Sequence, residues 1–215
     1  MKYELNQIIH ADCMDIMKDI PDKYFELAIV DPPYGIGLNN FGNGRRKGAV
    51  LNYKIKGDWD NQTPDENYFN ELFRISCNQI VWGANNYHLP INQAWIFWDK
   101  GMSNEMSFAA GELAWTSFKN KTLKKYFQHW RGAVMQNEIS KRIHPTQKPI
   151  ALYRWLLQNY AKPGDKIIDT HSGSGSCAIA CHLEKFEFLA IEKDEDYYKA
   201  SVKRLEEIRS QGVLF

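Results

Sequence analysis

Residues Lys166–Ala180 read "KIIDTHSGSGSCAIA". Two β-branched residues, Ile167 and Ile168, lead to the acid Asp169. Glycines at 173 and 175 then open an apolar stretch, Cys177–Ala180, suited to a buried helix. A strand, a glycine turn and a helix in that order bring free backbone N–H groups to the strand's carboxyl end, where open α/β sheets bind ligands. About 20 residues on, "FEFLAIE" (Phe186–Glu192) reads as a second buried strand, and it ends on Glu192. A carboxylate at that spacing can accept both hydroxyls of a ribose. Gly173, Gly175 and Ala178 also satisfy a G-x-G-x-x-A dinucleotide fingerprint, and a turn that only packs helix on strand looks the same. Only one more helix follows Glu192, which leaves no second half-sheet for a second nucleotide.

Near the front, "LAIVDPPYGIG" (Leu27–Gly37) poses a matching puzzle. Four apolar residues run into Asp31, Pro32, Pro33 and Tyr34. Neither proline can donate to a strand ladder, and each restricts the residue before it. The strand therefore stops near Asp31 and becomes a stiff ledge with one carboxylate and one ring. A third strand, "QIIHAD", ends at Asp12. A chain that starts in the middle of a doubly wound sheet lays these four strands side by side. Asp12, Asp31, Asp169 and Glu192 then meet at one edge, with Asp12 placed to accept from the amino group of a bound adenine. Strands alternate with helices through most of the chain, which predicts an α/β fold: a doubly wound, mostly parallel sheet with helices on both faces.

With 215 residues, 44% of them hydrophobic, the chain is sized for one domain with a sizeable core. No run reaches the ~18 apolar residues of a membrane span, and the front lacks a signal-peptide pattern, so a cytoplasmic protein is expected. Cys13, Cys77, Cys177 and Cys181 form no zinc-site pairing and are expected to be small buried thiols. No metal is expected. The net charge of +1 carries no global nucleic-acid signal, but its distribution does. Residues 38–56 hold five basic residues, Arg45, Arg46 and Lys47 among them, and no acid. Residues 119–148 hold eight, including Lys121, Lys124, Lys125, Arg131 and Arg142, against the single acid Glu138. Two basic segments beside the candidate chemistry point to a polyanion. The loop 38–63 and the irregular segment 119–143 are the insertions of a single domain, 1–215, that are expected to contact it.

These stretches resemble the S-adenosylmethionine-dependent DNA amino-methyltransferases, which modify adenine N6 or cytosine N4. The order is the permuted one, with the catalytic motif ahead of the cofactor motif in a Rossmann-like fold. The resemblance rests on "HADCMDIM" (His10–Met17), "DPPY" (Asp31–Tyr34), "WIFWDK" (Trp95–Lys100), "HPTQKP" (His144–Pro149), "DTHSGSGS" (Asp169–Ser176) and "IEKDEDYY" (Ile191–Tyr198). It implies that Asp31 and the Pro32 carbonyl take both N–H bonds of the target amine, with Pro33 fixing the ledge and Tyr34 stacking on a flipped base. It implies S-adenosylmethionine against Asp12, Cys13, Asp169, His171, Ser172, Gly173, Ser174, Gly175 and Glu192, with Thr146 and Lys148 on its carboxylate.

The chain departs from the family pattern at Thr170 and His171, where proline and an aromatic residue are usual. Only 43 residues (101–143) separate "WDK" from "HPTQKP", too few for a separate recognition domain. A short target in double-stranded DNA, or a homodimer, is therefore expected. Gln211, Leu214 and Phe215 resemble the peptide by which bacterial replication proteins dock on the sliding clamp; a frayed or packed tail is the competing reading. Four functions stay open at this point: adenine-N6 methylation, N4-cytosine methylation, a nicotinamide-dependent oxidoreductase and a nucleic-acid-binding module without catalysis. These residues do not separate DNA from RNA.

Overall fold

The structure, a computed structural model, describes residues 2–37, 60–102, 109–129, 143–144 and 146–211. Eight strands form one sheet: β1 (Gln7–His10), β2 (Phe25–Val30), β3 (Ser76–Trp82), β4 (Trp95–Asp99), β5 (Gly111–Thr116), β6 (Lys124–Phe127), β7 (Lys166–Asp169) and β8 (Glu187–Glu192). Among the described residues five α-helices accompany them: α1 (Cys13–Met17), α2 (Glu66–Ile75), α3 (Ile150–Tyr160), α4 (Ser176–Glu184) and α5 (Glu195–Ser210). The strand order is β1-β8-β7-β2-β3-β5-β4-β6. All pairings are parallel except the two made by β5 with β3 and β4.

β1, β8, β7 and β2 thus lie side by side as the acids demanded. β1, however, is the outermost strand, so the chain begins at the sheet's margin and not in its middle. β6 is a second difference. Residues 119–143 read as irregular, yet Lys124–Phe127 adds an edge strand in parallel register with β4, Ile96 opposite Lys124 and Asp99 opposite Phe127. Its burial is slight, so the apolar signal that betrays inner strands is absent.

Both sheet faces are covered. Leu27, Ile29, Ile80 and Trp82 pack under α3, α4 and α5, through Leu152, Leu156, Ile179 and Leu205. The alternate residues Ala28, Val30, Val81 and Ile168 face α1 and α2, through Met17, Phe69 and Leu72. Two-sided burial explains why the inner strands read as unbroken apolar runs. Each fully buried Leu or Ile contributes about 1.5–3 kcal/mol by leaving water.

Carboxylates start α1, α2 and α5. Asp12, Asp65 and Asp194 accept from the backbone N–H of Met14, Tyr68 and Tyr197, respectively. Of the four cysteines, all free, Cys177 and Cys181 are buried, Cys13 is partly so and Cys77 is exposed, against the expectation of four buried thiols. Among the described residues, no helix is long and apolar enough to cross a membrane.

Candidate active site

Parallel strands place their carboxyl ends together, so Asp31, after β2, stands next to Asp169, the end of β7. The edge built from β2, β3, β5 and β4 carries one cluster, and the edge of β7, β8 and β1 carries another.

In the first cluster Asp31 is gripped by two donors. Tyr34 donates its hydroxyl to Oδ1 at 2.7 Å, and the Lys148 ammonium meets Oδ2 at 2.5 Å. Lys148 Nζ also lies 3.0 Å from Glu112 Oε2, and Lys100 Nζ lies 2.5 Å from Glu112 Oε1. The Lys148 side chain is only 2% exposed, and it sits 5.3 Å from the centroid of the Trp82 ring. Two acids and two bases therefore neutralise one another away from water. Burial opposes the charge on Glu112, but Lys148 and then Lys100 outweigh it and bring the carboxyl down to about 2. Burial also works against the Lys148 ammonium, and Asp31 and Glu112 overcome it, so Lys148 stays charged. Burial raises the Asp31 carboxyl; Lys148 pulls it back and Glu112 raises it again, leaving it above the usual range.

The ledge itself is held from three sides. Tyr87 directs its hydroxyl at the Pro32 carbonyl (2.7 Å) and the Pro33 carbonyl (2.9 Å). Asp60 Oδ1 accepts the backbone N–H of Tyr34 at 2.8 Å and of Gly35 at 3.2 Å. The Tyr34 ring lies on Gly83, where φ is +67° and a Cβ would stand 2.1 Å from the ring. Only glycine suits Gly83, on both grounds.

The second cluster is the glycine turn. Glu192 accepts from the Gly173 N–H at 2.6 Å and from the Asp194 N–H at 2.9 Å. Arg204 of α5, itself buried, donates to the Ser174 carbonyl and to Ser176 Oγ, both at 2.9 Å. At Gly175 (φ +73°) a Cβ would press on Ser201 at 3.1 Å. Among the described residues neither Asp169 nor Glu192 forms an ion pair. Burial accordingly raises Asp169 to about 8 and moves Glu192 upward. Burial lowers His171 to about 4, so this imidazole is neutral; it leans on Tyr68 and Thr170. Ser172 Oγ is buried with no hydrogen-bond partner, which marks a place for an outside polar group.

The remaining expected residues divide as follows. Asp12 caps α1 and pairs with Lys193 at 2.9 Å, which lowers its carboxyl. Burial pushes the Cys13 thiol up to about 12. Thr146 hydrogen-bonds His144 Nδ1 at 3.0 Å, and the His144 ring lies over Gly173, so "HPTQKP" does reach the glycine turn. Lys148, expected on a cofactor carboxylate, is instead on Asp31 and Glu112. Lys125 pairs with Asp99, at the carboxyl end of β4, at 2.6 Å. Lys124 opens β6 at its other end. Lys121 meets the Asn159 carbonyl and the Tyr160 ring at the end of α3, on the opposite edge of the sheet from Asp31. Arg45, Arg46, Lys47, Arg131, Arg142, Leu214 and Phe215 fall outside the described residues, while Gln211 caps α5. Sequence reading passed over Glu112, Tyr87, Asp60 and Arg204. For Asp60 alone a local cue existed: it closes the glycine-rich loop after the ledge.

A family of N6/N4 methyltransferases, described as "DNA methylase", matches residues 77–203. The chain is similar to the type II methyltransferase M2.MboI of Moraxella bovis, at 24% identity over 94% of this chain and 88% of that protein. Among solved structures it is similar to the M1.HpyAVI–SAM complex, with TM-score 0.58 and 20% identity over 92% of this chain and 98% of that one. It is also similar to the cytosine-N4-specific PvuII DNA methyltransferase, with TM-score 0.57 and 11% identity over 95% and 91%.

Proposed function

The chain belongs to the N6/N4 DNA methylase family, and we propose that it methylates the exocyclic N6 amine of an adenine swung out of double-stranded DNA. Its cofactor is S-adenosylmethionine. The observation that carries this reading is the adjacency of two unlike sites at neighbouring strand ends: an acceptor ledge at Asp31 and Pro32, and a nucleoside cradle at Asp169–Gly175. A nicotinamide enzyme has no use for that ledge, and a module without catalysis has no need of both sites.

The cradle fits the cofactor. Glu192 keeps lone pairs for ribose hydroxyls after accepting two backbone N–H groups. Ser172 Oγ supplies an unused polar group, and the two glycines let a ligand approach the backbone. Bound there, S-adenosylmethionine supplies an electrophilic methyl group on a sulfonium.

The ledge acts on the base. The lone pair of an exocyclic adenine amine is delocalised into its ring, which makes it a poor nucleophile. An Asp31 oxygen and the Pro32 carbonyl, each taking one N–H, draw that lone pair out of conjugation toward the methyl group. The Pro32 oxygen already receives Tyr87, but a carbonyl has a second lone pair to offer. Holding the amine in line supplies much of the rate. Once methylated, the nitrogen sheds a proton, and Asp31, its carboxyl raised by burial, is the nearest group to receive it.

The acid at Asp31 favours adenine, because cytosine-N4 relatives often place serine there. The fold does not discriminate, since the cytosine-N4-specific PvuII enzyme shares it. Incubation with labelled S-adenosylmethionine and DNA of mixed sequence, then digestion, tests the reading. N6-methyladenine is expected; N4-methylcytosine as the product reassigns the base.

A further inference from the structure

Both oxygens of Asp31 are already occupied by the chain's own donors, Tyr34 on Oδ1 and Lys148 on Oδ2. The Asp31 side chain is only 14% exposed, so these donors also cover its remaining lone pairs, and on the reading above a target amine must take one of those places. The displaced donor is buried, and a buried ammonium or hydroxyl left without a partner is strongly disfavoured. Glu112 offers the way out. Its Oε2 lies 3.0 Å from Lys148 Nζ and 3.3 Å from the Tyr34 hydroxyl, within reach of both donors that now hold Asp31. Its Oε1 is pinned by Lys100 at 2.5 Å, which keeps Oε2 aimed inward.

We propose that Glu112 is a positioning residue that serves as the second seat for Lys148, receiving it when the substrate amine takes its place on Asp31. In the resting chain the Lys148 ammonium stands in for the substrate amine and keeps the ledge closed to water. When the base arrives, the same ammonium shifts fully to Glu112 and no charge is stranded. Glu112 never touches the substrate; it acts by making Asp31 available. The proposal rests on the methyltransferase reading, and it adds a residue that lies outside the "DPPY", "HPTQKP" and glycine motifs.

The test is Glu112→Gln, which keeps shape and removes charge. Without a carboxylate to move to, Lys148 clings to Asp31. The expected result is a drop of about tenfold in kcat/KM for DNA, with S-adenosylmethionine affinity within about twofold of wild type and a lower melting temperature, since Lys148 and Lys100 lose a charged partner. Unchanged kcat/KM overturns the proposal. So does a matching loss of cofactor affinity, which would make Glu112 a support of the cradle. A crystal structure of the wild-type chain with S-adenosylhomocysteine and a duplex carrying its mapped site decides the matter even if the variant folds poorly. Lys148 Nζ on Glu112 and off Asp31 supports the second seat, and Lys148 still on Asp31 beside a bound amine refutes it. A wild-type chain that methylates no DNA instead refutes the function itself.

Discussion

Asp31 and Asp169 end neighbouring parallel strands, yet their carboxyls are handled in opposite ways. Asp31 lies in a closed circuit of charge with Lys148, Glu112 and Lys100, and both of its oxygens are bonded. Among the described residues Asp169 has the His171 N–H and the buried Cys177 thiol for company but no cation, and its neighbour Glu192 has backbone N–H groups. One half of the edge satisfies itself, so a ligand must displace what is there. The other half keeps its acceptors without cations and an unused Ser172 hydroxyl, so a ligand completes it. On the proposed function these are two kinds of site: a cradle that gains by binding, and an acceptor ledge that gives up a resident donor to the base.

The strongest way to break this contrast is Asp31→Ala. Methyl transfer to DNA should fall by about 10³-fold or more, while cofactor affinity, measured by calorimetry, stays within about threefold. Transfer retained by that variant removes Asp31 from the chemistry. Gly83→Ala probes the same half without touching a charge. Its new methyl group must push the Tyr34 ring aside, and kcat should drop about 10²-fold through misplacement of the ledge.

The other half is probed by pH. The folded-state pKa of Asp169 is about 8, above its unfolded value of 3.8. A raised pKa means that the folded chain prefers the protonated acid. Its stability is therefore fully present below about pH 4 and is lost as pH rises toward and through 8. Asp169→Asn removes that loss. Thermal melts of the cofactor-free chain should show the variant more stable than wild type at pH 8.5, with the gap shrinking by about 1.4 kcal/mol per pH unit from pH 8 toward pH 5. A constant gap across that range contradicts the burial of an unpaired acid. The smallest effect expected is that of Ser172→Ala. It should leave the free chain's stability unchanged and weaken S-adenosylmethionine about fivefold. Unchanged affinity in that variant shows that the hydroxyl waits for something else.

Much of this edge was legible in the sequence because parallel strands announce their ends. Leu27–Val30, Ile167–Ile168 and Phe188–Ile191 are apolar runs closed by an acid, and the acid marks the edge. Glu112 obeys no such rule. It stands at the start of β5, the one strand that runs against the others, and reversal carries a strand's beginning to the edge where its neighbours finish. Tyr87 likewise reaches Pro32 from across 55 positions of chain. Lys121 belongs to a basic run in the sequence, and the reversed β5 delivers it to the edge far from Asp31, where it meets the end of α3.

The sequence by itself determined the α/β architecture, the side-by-side placement of β1, β8, β7 and β2, and the two motifs at their ends, because these follow from local periodicity and from the fixed direction of parallel strands. Only the tertiary structure decided which charges neutralise one another. Ion pairing depends on distances of a few ångströms between segments far apart in the chain. Strand order and the single reversed strand set those distances, and no local pattern of residues records them.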